Sequence, residues 1–287
     1  MASGKNLMTY VDGAWHNGDL PVLKAGDHGT WLGSSVFDGA RCFDGVSPDL
    51  DAHCARLNAS ARAMLITPTH TVEQMVEIIR DGLCRYEGTP AVYIRPMYWA
   101  LDGGQATVDP KPNATGFLVC LEEIPMPAPE TTVTLGYTQF RRPVLESAVC
   151  NAKAGALYPN NARMLREVNS RGFGNALVAD ALGNVAETAT SNVFMVRDGE
   201  VFTPAPNGTF LAGITRHRHI ENLRADGVAV YEAVLSFADF EKADEVFVTG
   251  NMAKIMPVTE IEGRSYQVGP IARRARSLYW DWAHSAV

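Results

Sequence analysis

The spacing of hydrophobic and polar positions changes repeatedly along this chain, and the changes mark its elements. Tyr10-Val11-Asp12-Gly13-Ala14-Trp15 predicts two short strands about an Asp-Gly turn. Residues 35–45 alternate, and Gly39 interrupts them. This predicts a strand with a bulge or close backbone approach at Gly39, then a turn at Asp44-Gly45. A helical period follows. Leu50, Cys54, Leu57 and Ala61 fall on one face of a helix over 49–65. Val72, Met75, Val76, Ile79 and Leu83 form the stripe of a second over 72–86, with Thr71 and Gln74 spaced for a capping box. Apolar runs at 91–99 and 116–121 predict strands, separated by a Gly- and Pro-containing loop over 102–113.

Pro125, Pro127 and Pro129 then exclude a helix and favour an extended segment. This predicts a linker over 125–131 between a small domain, 1–124, and a larger one, 132–287. The second half predicts strands at 133–140, 175–180, 185–196, 200–203, 228–231, 245–250 and 254–261. Helices are predicted at 160–170 and 214–226. A last helix opens at Pro270, with Ile271, Ala275, Leu278, Tyr279 and Trp282 on its buried face. No internal repeat is visible. The mixture predicts an α+β protein.

Composition narrows the function classes. The 287 residues are 46% hydrophobic and 20% charged, ordinary for a globular chain with a substantial core. A net charge of −7 without basic runs argues against nucleic acid and anionic membranes as partners. No apolar stretch approaches a membrane span, and residues 1–13 lack the apolar region of a secretory signal. The five cysteines are odd in number and lack CxxC spacing, which reads as free thiols in a reducing cytoplasm. His217 and His219, two apart on a predicted helix, point different ways. They read as a solvated face, and no metal site is expected.

The candidate chemistry centres on Lys153, one of six lysines against nineteen arginines. It lies among Ala152, Ala154 and Gly155. A lysine in a dry, close-walled site can become a nucleophilic amine able to form a Schiff base. The other reading is a surface lysine at a helix start. Glu187 is a lone acid between Ala186 and Thr188, and its burial requires a partner: a protonated ring nitrogen or an arginine. Gly213 precedes a helix with Thr215 in its first turn, which suits a phosphate or ordinary capping. Gly250-Asn251-Met252 ends a buried strand and offers further amides, or a simple turn. Arg56 has the fork for a phosphate, or is a solvated helix residue. Tyr93 and Arg95 share a strand face, and Arg95 calls for a carboxylate belonging to substrate or protein.

The order of these stretches resembles the class IV, D-amino acid aminotransferase-like pyridoxal phosphate enzymes, most closely the branched-chain amino acid aminotransferases. The resemblance runs from Met8 to about Gly263. It is carried by residues 33–41, Ala55-Arg56-Leu57, Tyr93-Ile94-Arg95-Pro96, Lys153-Ala154 with Tyr158, residues 187–194, residues 211–216, and Thr249-Gly250-Asn251 through Met256-Pro257-Val258. It implies a two-domain D-amino acid aminotransferase-like fold, with a small N-terminal α/β domain and a larger C-terminal domain with a β-barrel-like core. The implied cofactor is pyridoxal 5'-phosphate, linked covalently to Lys153. Glu187 would meet its ring nitrogen and Tyr158 its ring hydroxyl. Arg56, Ile214, Thr215, Asn251 and Met252 would hold its phosphate, while Phe37, Tyr93 and Arg95 line the substrate pocket.

The implied partners are a small-molecule amino donor, an L-branched-chain amino acid, and a 2-oxo acid acceptor such as 2-oxoglutarate. The implied assembly is a homodimer or higher homo-oligomer. Departures from the family stand at Leu32, where a tyrosine is usual, at Asn251-Met252 in place of a small Thr-Ala type pair, and in the loop 103–107. Residues 253–257 look more like (R)-selective amine transaminases. The alternatives are therefore an (R)-amine or D-amino acid transaminase, 4-amino-4-deoxychorismate lyase, or a fold relative that binds no cofactor. Lys254 stands near the implied site without an assigned role.

Overall fold

The computed structural model describes residues 4–104 and 106–285. Residues 1–3, at the head of the segment read for a signal, and Gln105, in the atypical loop, lie outside the described residues. The chain forms two compact units. One comprises Met1–Met126 with Asn151–Leu157, the other Pro127–Cys150 with Tyr158–Val287. The seven residues that carry Lys153 thus pack with the first unit.

The first unit contains β1 (Lys5–Val11), β2 (Ala14–Asn17), α1 (His28–Leu32), β3 (Ser35–Phe37), β4 (Ala40–Cys42), α2 (Leu50–Ala63), α3 (Val72–Leu83), β5 (Val92–Ala100) and β6 (Thr115–Glu123). Its sheet runs β2-β1-β6-β5-β3, with β4 also on β5, and every pairing is antiparallel. Strand β5 alternates cleanly: Val92, Ile94 and Tyr98 are buried, while Tyr93, Arg95 and Met97 are half-buried. The helix stripes bury Leu50, Cys54, Leu57 and Ala61 on α2, and Met75 and Ile79 on α3. Thr71 and Gln74 form the expected reciprocal cap.

Gly39 marks a close approach rather than a bulge. Phe37 pairs with Met97 and Ala40 with Ile94, so the register is unbroken. The ladder is interrupted because Pro96 has no N–H to return to Asp38, whose own N–H donates to the Pro96 carbonyl. A Cβ on Gly39 would lie 2.4 Å from the Tyr93 hydroxyl oxygen.

The second unit contains β7 (Val133–Arg142), α4 (Tyr158–Asn169), β8 (Asn175–Asp180), β9 (Val185–Thr188), β10 (Asn192–Arg197), β11 (Glu200–Pro204), α5 (Ile214–Ala225), β12 (Val230–Ala233), α6 (Phe237–Phe240), β13 (Glu245–Gly250), β14 (Lys254–Ile261), β15 (Arg264–Ser265) and α7 (Pro270–Ser285). Its sheet runs β12-β11-β10-β13-β14-β7-β8-β9, with β15 on β14. The β9 end lies back against β10 and β11, curling the sheet into a partial barrel. The single strand expected over 185–196 is two, because Ala189–Ser191 turn the chain and Thr188 closes the turn onto Ser191. The core includes Leu177, Val193, Met195, Val246, Val248 and Phe240 on one side. Phe194 and Phe247 stack at 4.9 Å on the other.

Four tight turns share one device. At Asp12-Gly13, Asp44-Gly45, Asp198-Gly199 and Glu262-Gly263 both residues have positive φ, which matches the strand twist of a two-residue hairpin. Helices α5 and α7 pack together through His219 and Tyr279, whose rings lie 5.1 Å apart. His219 is fully buried, so the solvated face expected there holds only for His217, which is exposed and pairs with Glu221. Burial pushes the His219 imidazole down to about 4. The start of α7 is capped from β13: the Glu245 carboxylate accepts from the Ile271 and Ala272 N–H groups at 3.2 and 3.0 Å. A Cβ on Gly269 would lie 1.9 Å from that carboxyl carbon.

Two outcomes follow from these contacts. Glu245→Ala leaves two helix N–H groups without acceptors and should lower unfolding free energy by about 2 kcal/mol, read by urea denaturation. The unfolded chain binds a proton at His219 between its ordinary pKa and the depressed native one, whereas the folded chain does not. Stability is therefore lost as pH falls from 6.5 toward 4, and the loss should be smaller in His219→Gln by thermal melting across that window.

Candidate active site

In the first unit Lys153 is fixed by its backbone. Its N–H donates to Ser60 Oγ on α2 at 3.0 Å, and its carbonyl accepts from the Phe37 N–H at 3.2 Å. Ala154 bridges Val36, and the flanking Ala152 and Ala154 are buried. The small neighbours seen in the sequence thus let this segment lie against the edge of β3. Lys153 Nζ sits over the Phe37 ring, 4.9 Å from its centre. Register places Phe37 opposite Met97, on the sheet face that also carries Tyr93 and Arg95. The structure therefore brings Lys153, Phe37, Tyr93 and Arg95 to one face of one unit.

Arg56 stands behind this face, on α2. Its Nε and Nη2 donate to the two oxygens of Asp38 at 2.7 and 2.8 Å. Asp38 is fully buried and also receives His53 Nδ1 at 2.7 Å and the Gly39 N–H at 2.7 Å. Burial alone would raise its carboxyl, but Arg56 and His53 more than offset this and hold it well below the usual carboxylate range. The guanidinium plane is therefore set by a protein carboxylate. Arg95 meets one as well: its Nη2 lies 2.7 Å from Glu122 Oε1.

In the second unit Glu187 is buried beside Arg142, with Arg142 Nε 3.0 Å from Oε1. Arg142 is tied down in turn. It donates to Asn161 Oδ1 at 2.6 Å and to the carbonyls of Thr188 and Ala189 at 2.9 and 3.1 Å. Asn161 lies in the first turn of α4, three residues after Tyr158, the residue that opens the helix. Asn192 completes the cluster. Its amide nitrogen donates to Glu187 Oε2 at 3.4 Å and to the Leu211 carbonyl at 3.1 Å, and its oxygen accepts from the Gly213 N–H at 3.1 Å.

Gly213 is the extended N-cap of α5, without a side-chain cap, so the N–H groups of Ile214 and Thr215 face an end that no side chain closes. The buried Thr215 hydroxyl lies in the same first turn. One asparagine thus links a buried carboxylate to a helix N-terminus suited to an anion.

Asn251 and Met252 form the turn between β13 and β14. Lys254 acquires a place here. It is fully buried, adopts φ 65°, and donates from Nζ to Asn251 Oδ1 at 2.7 Å. Its carbonyl lies 3.2 Å from His219 Nε2, which ties the turn to α5. Met252 is exposed.

Sequence reasoning missed Asp38, Glu122, Arg142 and Asn192. Asp38 and Asn192 stand inside the stretches that carry the family resemblance, next to residues with assigned roles. Their side-chain partners, however, are distant in sequence. Arg142 lies just past the predicted end of its strand and had no signal of its own. Among the described residues no helix is long and apolar enough to cross a membrane.

Comparisons with known proteins give the family. The family model for amino-transferase class IV matches residues 35–261. The putative branched-chain-amino-acid aminotransferase of Methanocaldococcus jannaschii is 31% identical, over 96% of both chains. The branched-chain-amino-acid aminotransferase of Escherichia coli K12 is 27% identical, over 94% of this chain and 92% of that one. An aminotransferase from Brucella abortus, solved bound to the co-factor PLP, is 55% identical with a TM-score of 0.96, covering 98% of this chain and all of that one. The solved E. coli branched-chain enzyme superposes with a TM-score of 0.90 at 26% identity, covering 97% and 95%. The chain belongs to the class IV aminotransferases.

Proposed function

We propose that this protein is a pyridoxal phosphate-dependent aminotransferase that moves an amino group between an L-branched-chain amino acid and a 2-oxo acid such as 2-oxoglutarate. The observation that carries the cofactor reading is the Asn192 link. A carboxylate suited to a protonated ring nitrogen and a helix start suited to a phosphate are tied to one side chain. These are the two ends of pyridoxal phosphate. When bound, the cofactor supplies the electron sink for the carbanion formed on the substrate.

The residues take the following parts. Lys153 would hold the cofactor covalently through Nζ, and the same amine would carry the proton at the substrate α-carbon. Glu187 keeps the ring nitrogen protonated, and Arg142 holds the carboxylate in place. Tyr158 donates to the ring hydroxyl oxygen. Ile214, Thr215, Asn251 and Met252 bind phosphate oxygens through N–H and hydroxyl groups. Arg56, its plane set by Asp38, adds charge there. Phe37, Tyr93 and Arg95 receive the substrate, on a sheet face whose apolar members Met97 and Leu118 suit a branched aliphatic side chain. We take the protein to act as a homodimer or higher homo-oligomer in the cytoplasm.

A second reading rests on the turn at Asn251-Met252. The small pair usual in branched-chain enzymes is replaced by a polar anchor held by Lys254 and an exposed methionine. That change favours an (R)-amine or D-amino acid as donor.

Lys153→Ala should lower turnover on the order of 10³-fold or more while the protein stays folded, and should abolish the visible band of the covalently held cofactor at roughly 410–430 nm. Full turnover in that variant would overturn the assignment. Screening L-leucine, D-alanine and (R)-phenylethylamine against 2-oxoglutarate and pyruvate should give the highest kcat/KM with L-leucine. A preference for either other donor selects the second reading. Pyruvate release from aminodeoxychorismate without a donor would select the lyase.

A further inference from the structure

The half-buried face of the first sheet carries a charge pair in which Arg95 has a part in the function above and its partner Glu122 has none. Register sets it. Arg95 stands opposite Cys120 on β6, and Tyr93 stands opposite Glu122, so Glu122 is the diagonal neighbour of Arg95 on the same face. Arg95 Nη2 reaches Glu122 Oε1 at 2.7 Å and Cys120 Sγ at 3.2 Å. The Arg95 side chain is 25% exposed, that of Glu122 only 1%. Arg95 lines an open pocket of about 340 Å³ together with Met97, Leu118, Cys120, Val22 and one further charged residue, Asp19.

Burial pushes the Cys120 thiol up to about 11, so at neutral pH it is uncharged and Glu122 supplies the negative charge. Glu122 Oε2 is buried without a hydrogen-bond partner. The carboxylate is therefore held chiefly by the arginine, and separating the two would leave a buried charge uncompensated.

We propose that Glu122 is a specificity-determining residue: by holding Arg95 in a buried ion pair, it makes this wall of the substrate pocket electrically neutral and favours uncharged side chains over a distal carboxylate. The inference rests on the reading that Arg95 lines the substrate pocket. An arginine without this partner would attract the second carboxylate of a dicarboxylic 2-oxo acid through its planar fork. With Glu122 in place, that carboxylate meets an arginine already neutralised and a like charge behind it. The apolar neighbours Met97 and Leu118 then favour an aliphatic chain. 2-Oxoglutarate is still accepted through its reacting end, but without a gain from its distal one.

The test uses the holoenzyme, one amino donor, and two acceptors: 2-oxoglutarate and the 2-oxo acid of leucine. Glu122→Gln keeps the size and the acceptor oxygen but removes the charge. The KM for 2-oxoglutarate should fall about tenfold while that for the leucine-derived acid stays within about twofold, because only the like-charge term is removed. Equal shifts for both acceptors, or none, overturn the proposal. Arg95→Gln separates the two levels of the argument. If it leaves both KM values unchanged, Arg95 is not against substrate and the reading of the pocket fails. If it changes them while Glu122→Gln acts on neither selectively, only the role of Glu122 fails. A measurement on the unaltered enzyme covers the case in which Glu122→Gln does not fold. The distal monomethyl ester of 2-oxoglutarate should have a KM equal to or below that of the diacid. A preference for the diacid of about tenfold or more would show an arginine free to bind it.

Discussion

The cluster of polar groups in the second unit depends on the ion pair between Arg142 and Glu187. A carboxylate taken from water into a protein interior needs compensation, or it is expelled or protonated. Arg142 provides the charge, and its own position is fixed by Asn161 and by two carbonyls of the turn after β9. That turn is therefore more than a connection: its carbonyls orient the arginine that orients the acid. Asn192, the first residue of β10, continues the chain of contacts to Gly213 and the start of α5. The acid and the start of α5 are set by one connected network, so a change at any member is felt by both.

The first unit uses the same principle in a different form. Asp38 is fully buried and carries Arg56, His53 and the N–H of Gly39, so it fixes the plane of a guanidinium. Glu122 holds Arg95 through a single contact, Nη2 to Oε1. In each case a buried carboxylate meets a longer cationic side chain that reaches it from a neighbouring element or strand. Lys153 is placed by backbone contacts instead. Ser60 and Phe37 bond its main chain, and its Nζ lies over the Phe37 ring.

Much of the fold was legible because its signals are local. The Asp-Gly turns, the capping box at Thr71, the alternation of β5 and the stripes of α2 and α3 each depend on residues within a few positions of one another. The elements that escaped were short. Helices α1 and α6 have five and four residues, too few to show a helical period. The break between β9 and β10 escaped because Ala189-Thr190-Ser191 has no glycine or proline, and the turn is closed by Thr188 bonding forward to Ser191. Burial of His219 depended on Tyr279, sixty residues further on.

The sequence by itself determined the periodicities, the turns, and the family, since the residues that carry the resemblance to class IV aminotransferases are short ordered stretches that can be read one at a time. It named Glu187 and Arg95 as residues in need of partners, because charged groups in apolar surroundings require compensation wherever the chain folds. Only the tertiary structure decided which partners they have. Arg142 lies 45 positions before Glu187 in the chain, and Glu122 lies 27 after Arg95. Such pairs are made by strand register and by the curl of a sheet, and neither leaves a trace in local pattern. The same holds for the packing of residues 151–157 with the first unit. That choice is made by a serine hydroxyl on α2 and a strand edge at β3, groups that meet Lys153 only once the fold has formed.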